Sequence, residues 1–138
     1  MSQSIQAVIT KLAEIEAGLS GIKAAYDETP EALTVFPCFI NYPRRGTYKC
    51  GGGPTKEGTQ TIRCELHVTR QILPQAETVA RPYIDSFVDA VFADPNLGGA
   101  CVMVTEIRWE YGNLEFAGET HLGIQFEVDV TIRKVIGG

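Results

Sequence analysis

The sequence predicts an α+β fold in which two helices pack on one face of an antiparallel sheet of four to five strands. Apolar residues recur at helical spacing in two stretches and alternate with polar residues in several others. The order along the chain is helix, two strands, helix, and then two or three strands. The 138 residues fit one domain spanning 1–138, and no second domain is expected.

The last strand has the clearest pattern. From Leu114 to Ile132 the even positions are mostly apolar and the odd positions mostly polar, so one face is buried and the other meets water. The run from Thr120 to Arg133 would measure about 45 Å if straight, whereas a globule of this length is about 35 to 40 Å across. The strand must therefore bend, with Gly123 as the candidate position, or reach the sheet of a neighbouring subunit.

The first half of the chain predicts a helix and a hairpin. Apolar side chains fall at helical spacing between Ser4 and Gly18. A first strand is predicted over Thr34 to Asn41, at a sheet edge or at a bulge, because Pro37 has no backbone donor. The alternating run from Thr59 to Arg70 predicts its hairpin partner.

The second half predicts another helix and a meander. The helix covers about Glu77 to Ala93, and Pro82 either lies in its first turn or kinks it. The strand from Cys101 to Tyr111 has apolar residues on both faces, which predicts a central strand covered on both sides. The chain can reverse at Gly112-Asn113 and again at the Ala117-Gly118-Glu119 turn.

The segment from Pro43 to Gly58 is predicted to be a long loop that is mobile when no partner is bound, since it contains three consecutive glycines. It does not match a phosphate-binding loop, because Pro54 lacks an amide donor and an acidic residue follows Lys56. Four of the 12 basic residues lie in it around one tyrosine. Arg and Tyr dominate many interfaces, which favours partner docking over a merely solvated hairpin loop. The predicted docking residues are Arg44, Arg45, Tyr48, Lys49 and Lys56.

Composition argues against several classes of function. The 17 acidic and 12 basic residues give a net charge of -5, which disfavours a general nucleic-acid binder. No secretory leader or membrane-spanning apolar stretch is recognisable, so synthesis in the cytoplasm and no membrane association are expected. The four cysteines lack the paired spacing of a zinc site or of a disulfide framework. Cys64 and Cys101 are predicted core residues, and Cys50 the exposed thiol.

The titratable residues predict no metal site, no cofactor and no catalytic residue. Cys64 and His67 are three apart on a strand and point to opposite faces. His67 and His121 both fall on the polar strand face and are predicted to be solvated. A small enzyme with its active site at a subunit interface is nevertheless the alternative from another class, because Glu65, His67, Glu127 and Asp129 could share one polar face and perform acid–base chemistry. A solvated sheet face or inter-subunit salt bridges are the favoured interpretation.

The second half of the chain also carries a resemblance to a known family. Its motifs are Phe92-Ala-Asp-Pro-Asn-Leu-Gly-Gly, Val102-Met-Val-Thr-Glu-Ile, Tyr111-Gly and Phe116-Ala-Gly-Glu-Thr-His-Leu-Gly-Ile-Gln-Phe-Glu-Val-Asp-Val. In this order they resemble the tail terminator, or tail completion, proteins of long-tailed bacteriophages. The likeness covers about Ala76 to Val130. This chain has His121 where the family often has Tyr, and Pro82 within the second helix is unusual for the family.

The resemblance implies a non-enzymatic virion protein of the tail and neck, made in the host cytoplasm. Such proteins form a homo-hexameric ring on the last ring of the tail tube protein, stop tube growth and offer their other side to a head-completion (stopper) protein. Genomic DNA would pass through the channel without sequence-specific binding. An acidic wall would keep DNA from sticking, and Glu127 and Asp129 are the predicted channel-lining residues. A head-closure or other connector subunit of the neck is the alternative within virion assembly.

Overall fold

The computed structural model describes residues 3–69 and 74–136 of the chain. The fold is α+β, as predicted. In chain order its elements are α1 (Ile5–Ala17), β1 (Ala24–Tyr26), β2 (Cys38–Gly46), β3 (Lys49–Cys50), β4 (Thr55–Thr69), α2 (Pro74–Phe92), a 3-10 turn (Leu97–Gly99), β5 (Met103–Phe116) and β6 (Glu119–Val135).

The strands form one six-stranded sheet in the order β1-β2-β4-β6-β5, and β3 lies beside β4. β1 is parallel to β2, and the other pairs are antiparallel. The sheet is therefore mixed and has more strands than the four to five predicted. The additional strand β1 has only three residues, which is too short to show an alternating pattern.

The start of one helix agrees with its prediction and the start of the other does not. The Ser4 side chain accepts a hydrogen bond of 3.0 Å from the backbone N–H of Ala7, which caps α1 and confirms the predicted start. α2 begins at Pro74 and continues past Pro82, so the interpretation that placed Pro82 in the first turn is wrong. Pro82 lies on the exposed side of α2, where water can bind the carbonyl that has lost its helical donor.

The main core lies between the helices and one face of the sheet. The rings of Phe39 from β2, Phe87 from α2 and Phe126 from β6 are fully buried, with centroids 5.5 Å apart for Phe39–Phe87 and 4.3 Å apart for Phe87–Phe126. The apolar residues of β4 and β6 meet this core, as their alternation predicts. The helices thus pack on one face, and the opposite face is polar at its centre.

One end of the polar face is covered by the chain between β1 and β2. Leu33 is buried there with Cys38 and Ile40, and Phe36 and Phe116 pack against them. The prediction of a wet face is therefore right for the centre of the sheet and wrong for this end. The predicted first strand at Thr34 to Asn41 is also displaced, because β2 runs over Cys38–Gly46 and the residues before it form this cover.

The predicted long loop from Pro43 to Gly58 is mostly strand. Hydrogen bonds from Thr47 N to Thr59 O (3.1 Å) and from Gly51 N to Thr55 O (2.8 Å) extend the ladder through β3 to a turn at 51–54. A register shift between Pro43 and Arg45 disrupts the alternation, and this is why the strand was not recognised in the sequence. The expectation of a long irregular loop is wrong.

The position of β5 differs most from the prediction. The strand was expected at the centre of the sheet, but it forms an edge, and Met103 and Trp109 are each 51% exposed. β6 is central instead and pairs with β4 and β5 along nearly its whole length. The reversal lies at Ala117 and Gly118, which both have positive φ, whereas Gly112 and Asn113 lie within β5.

Candidate functional site

The centre of the polar face holds a cluster of arginines and carboxylates. Arg63 of β4 and Arg108 of β5 donate to the Glu127 carboxylate of β6 at 2.8 and 3.3 Å. Asp129 accepts from Arg108 at 2.7 and 3.0 Å and from the Thr61 hydroxyl at 2.7 Å. Cross-strand pairing places these side chains in neighbouring rows of the sheet. We call these five residues the arginine–carboxylate cluster.

The hairpin brings two of the predicted docking residues to this cluster. Arg44 Nε lies 4.0 Å and Arg45 Nη2 lies 3.9 Å from the same Glu127 oxygen that Arg63 contacts. The structure therefore joins two residues predicted to dock a partner to one predicted to line a channel. A groove of about 170 Å³ beside the cluster is lined by Arg63, Arg108, Trp109, Glu110, Gln125 and Glu127.

The arginines change the electrostatic character expected for this face. Hydrogen bonding by Arg63 is the main cause that lowers the pKa of Glu127, and hydrogen bonding by Arg108 is the main cause for Asp129. Both carboxylates are therefore ionised at neutral pH, with arginines directly beside them. The predicted acidic residues are present on the face, but their charge is balanced locally.

The other predicted docking residues lie further along the hairpin. The Lys56 ammonium sits 4.2 Å from the centroid of the Tyr48 ring, a cation–π distance, and Tyr48 is 39% exposed. Lys49 lies opposite Glu57 in the β3–β4 ladder. The five residues thus form two groups, with Arg44 and Arg45 at the arginine–carboxylate cluster and Tyr48, Lys49 and Lys56 toward the turn.

A second polar group lies buried beneath the cover at the end of the sheet. His67 and His121 are 0% and 1% exposed, so the prediction that both are solvated is wrong. Their Nδ1 atoms are 2.9 Å apart, and His67 Nε2 lies 3.0 Å from Glu65 Oε1. The Tyr42 hydroxyl donates to the other Glu65 oxygen. Phe36 packs edge-on against His121, with centroids 5.1 Å apart.

The hydrogen bond between His67 and Glu65 has a definite direction. A carboxylate only accepts, so His67 donates from Nε2 to Glu65. Between the two histidines one Nδ1 atom donates and the other accepts, and the tautomers of the two rings decide which. Burial raises the pKa of Glu65, but the hydrogen bonds from His67 and Tyr42 outweigh it and the net shift is downward. The group therefore contains an ionised carboxylate whose two oxygens each accept a hydrogen bond.

Glu65→Gln is expected to lower the free energy of unfolding by about 1 to 3 kcal/mol at pH 7, because an amide cannot accept from both His67 and Tyr42. The lowered pKa means that this carboxylate stabilises the fold above its ordinary pKa of 4.5 and that the stabilisation is lost as pH falls through the folded-state value. Urea titrations between pH 3 and 7 measure the difference, which should shrink toward low pH. The exposed control Glu28→Gln should match the parent, and a pH-independent difference at Glu65 would contradict this account.

Burial decides what chemistry the Glu65–His67 pair can perform. Glu65 and His67 do share the polar face with Glu127 and Asp129, as expected, but the cover shields them from water. The buried Glu65–His67 pair is therefore suited to holding the cover on the sheet.

Two further grooves lie elsewhere. One is formed by α1 residues and Gly98, and the other, of about 270 Å³, lies between α2 and β5 and is lined by Glu77, Arg81, Ile84, Trp109 and Tyr111.

The cysteines lie where the sequence predicts them. Cys64 and Cys101 are buried and Cys50 is exposed. Cys64 packs in the main core while His67 lies on the opposite face, as their spacing requires. Within residues 3–69 and 74–136, no three His, Cys, Asp or Glu side chains are grouped so that they could hold a metal ion. Over the same residues, no helix has the length and apolar character needed to cross a membrane.

Comparison with known proteins adds no assignment. No protein-family model matches the chain, and no curated protein matches it.

Sequence reasoning missed three residues of these polar groups: Arg63, Arg108 and Tyr42. Arg63 alternates with apolar neighbours beside Glu65, which places it on the polar face, but nothing local in the sequence indicates that it meets Glu127. Arg108 was missed because its strand was interpreted as buried on both faces. No local signal links Tyr42 to Glu65, since that contact depends on the register of β2 against β4.

Proposed function

We propose that the chain is a ring-forming structural subunit of a phage tail, a tail terminator that caps the tail tube, ends its elongation and presents a surface for joining to the head. The resemblance of the second half suggests this function. The observation that best supports it is that the sheet is open at two different edges. Among the described residues, no strand pairs with the outer side of β5 at one edge of the sheet. At the opposite edge, no described strand pairs with the outer side of the stretch from Tyr42 to Cys50. Dissimilar open edges allow head-to-tail contacts, which close into rings.

The arginine–carboxylate cluster and the end of the hairpin have separate roles in this proposal. The arginine–carboxylate cluster lines part of the channel, where its balanced charges give DNA phosphates no net attraction. The hairpin end with Tyr48, Lys49 and Lys56 docks on the tail tube, because it offers an exposed aromatic ring with two cations. The subunit itself performs no catalysis.

The hairpin end can be tested separately from ring formation. Tyr48→Ser combined with Lys49→Ala and Lys56→Ala is expected to weaken capping at least about tenfold, because aromatic and cationic anchors carry much of an interface's binding energy. Capping is measured as the protein concentration that halves the length of tubes polymerised from the tail-tube protein of the same genome, seen by electron microscopy. The variant should keep the parent's melting temperature and mass in light scattering.

Lys11→Ala, at a basic residue of α1, is the matched control and should cap like the parent. If the triple variant also caps like the parent, the hairpin end is only solvated and the tube must bind another surface. If the parent itself has no effect on tube length, the terminator function is wrong and a connector role deeper in the neck becomes the better hypothesis.

A further inference from the structure

We propose that neighbouring copies of this chain join their sheets edge to edge, with β5 of one copy pairing with the stretch from Tyr42 to Gly46 of the next. This inference rests on the proposed ring and identifies its interface. We call the Tyr42 to Gly46 stretch the basic edge, because it carries Arg44 and Arg45 and no acidic residue.

Both edges have free backbone groups along most of their length. β1 pairs only with Cys38, Phe39 and Ile40 of β2, so it leaves the outer side of the basic edge without a strand in the described parts of the chain. β5 pairs with β6 over Met103 to Phe116, and no described strand lies on its other side. Long unpaired edges form contacts with other strands readily, and a soluble protein normally protects them.

The strand directions fit a continuous sheet across the contact. β2, β4, β6 and β5 are neighbours in that order, and each adjacent pair is antiparallel. β5 therefore runs opposite to β2. A rotation about a ring axis keeps the direction of each strand relative to that axis, so β5 meets the next copy's basic edge as an antiparallel pair. The same operation repeated generates a closed ring.

Charge complementarity selects this pairing over the symmetric ones. β5 carries Glu106, Glu110 and Glu115 and only one basic residue, Arg108. Two β5 edges would bring acidic strands together, and two basic edges would repel each other. Cross-strand pairing places four residues in one row and on one face of the sheet: Arg45, Thr61, Asp129 and Glu106. In a ring whose copies are related by rotation alone, with no shift along the axis, this row continues into the next copy. Arg45 then lies beside the next copy's Glu106.

An apolar surface adds to the contact on the helix side of the same edge. Trp109 is half exposed at the groove between α2 and β5. Its cross-strand partner is Phe126, so it lies on the core-facing side, while Glu106 lies on the polar side. A strand added to β5 would thus cover apolar area on one face and pair charges on the other, which is the usual composition of a specific interface.

A charge exchange between two variants tests the pairing. Arg45→Glu and Glu106→Arg should each lose the ring peak in light scattering and run as smaller species, because each places like charges across the contact. A mixture of the two should recover the ring, since alternating copies then oppose Glu with Arg at every contact. Recovery on mixing also controls for local effects, because Arg45 lies near Glu127 and Glu106 contacts Arg108 within one copy.

Asp85→Arg, at an exposed position of α2, is the control and should leave the ring intact. If both edge variants form rings like the parent, the edge pairing is wrong while the proposed ring stands. A third outcome is that Glu106→Arg disrupts the ring, Arg45→Glu leaves it intact and mixing the two variants has no effect. In that case β5 pairs with β5 of another copy, and the inference is overturned. A parent chain that is monomeric both free and on tubes overturns the proposed function and the interface together.

Discussion

Gly123→Ala is expected to lower the free energy of unfolding by about 1 to 3 kcal/mol. Gly112→Ala, directly opposite on β5, should change it by less than about 0.5 kcal/mol. A Cβ at residue 123 would lie 1.9 Å from the Leu66 carbonyl oxygen, so the backbone of β4 or β6 would have to move. A Cβ at residue 112 has no heavy atom within 4 Å. Urea titrations of the two variants measure the difference.

The cause lies in how β6 passes β4 at this point. The pairing of the two strands shifts register between His67 and Thr69, next to Gly123, and the missing side chain lets the Leu66 carbonyl approach. The sequence predicted that the strand would bend at Gly123 or reach a neighbouring subunit. What the structure shows at Gly123 is a close approach of the β4 and β6 backbones. Equal stability losses at residues 112 and 123 would contradict this explanation.

The helices, the hairpin partners and the core face could be predicted because their signals are local. The Ser4 cap and the spacing of apolar residues in α1 lie within a few turns, and the alternation in β6 fixes its buried face by itself. Period and capping do not encode the order of strands in a sheet. Both faces of β5 carry apolar residues, which the sequence could not distinguish from a central strand, and Trp109 proved half exposed.

The polar contacts required information from distant parts of the chain. Arg63 and Glu127 are 64 residues apart and meet only through the β4–β6 register. His67 and His121 were predicted to be solvated because they lie on the polar face, and they are buried because residues 33–37, which lack periodicity, fold over that end. Docking and channel residues were chosen from composition, and their meeting at Glu127 could not be anticipated from it.

A buried acid on the helix side of the sheet makes a further strong prediction possible. Glu16, in the last turn of α1, is 0% exposed, and its Oε1 accepts from Asn41 Nδ2 at 2.6 Å. Its Oε2 has no hydrogen-bond partner, and no basic side chain pairs with it in the described part of the chain. Burial raises the pKa of Glu16 well above its ordinary value, and the hydrogen bond from Asn41 and the nearby Cys64 thiol only partly oppose this. The C-terminal end of a helix further disfavours a negative charge.

The raised pKa fixes how Glu16 affects stability at different pH values. Below pH 4.5 the carboxyl is protonated in both the folded and the unfolded chain, so it has no pH-dependent effect. Above that pH the unfolded chain releases the proton while the folded chain keeps it, and stability falls until the folded-state pKa is reached. Glu65, Glu127 and Asp129 have lowered pKa values and act in the opposite direction, so the parent's own profile mixes the two effects.

Glu16→Gln isolates this contribution, because an amide of the same shape cannot ionise. The variant is expected to be more stable than the parent at pH 8, because only the parent must keep a proton that the unfolded chain releases at that pH. The advantage should decline steadily toward pH 4. Urea titrations across this range measure it, and Glu14→Gln, at an exposed carboxylate 3.7 Å from Lys11, should follow the parent at every pH. A Gln variant that is less stable than the parent at pH 8 would show that Glu16 is ionised in the fold and accepts a hydrogen bond that the amide cannot replace.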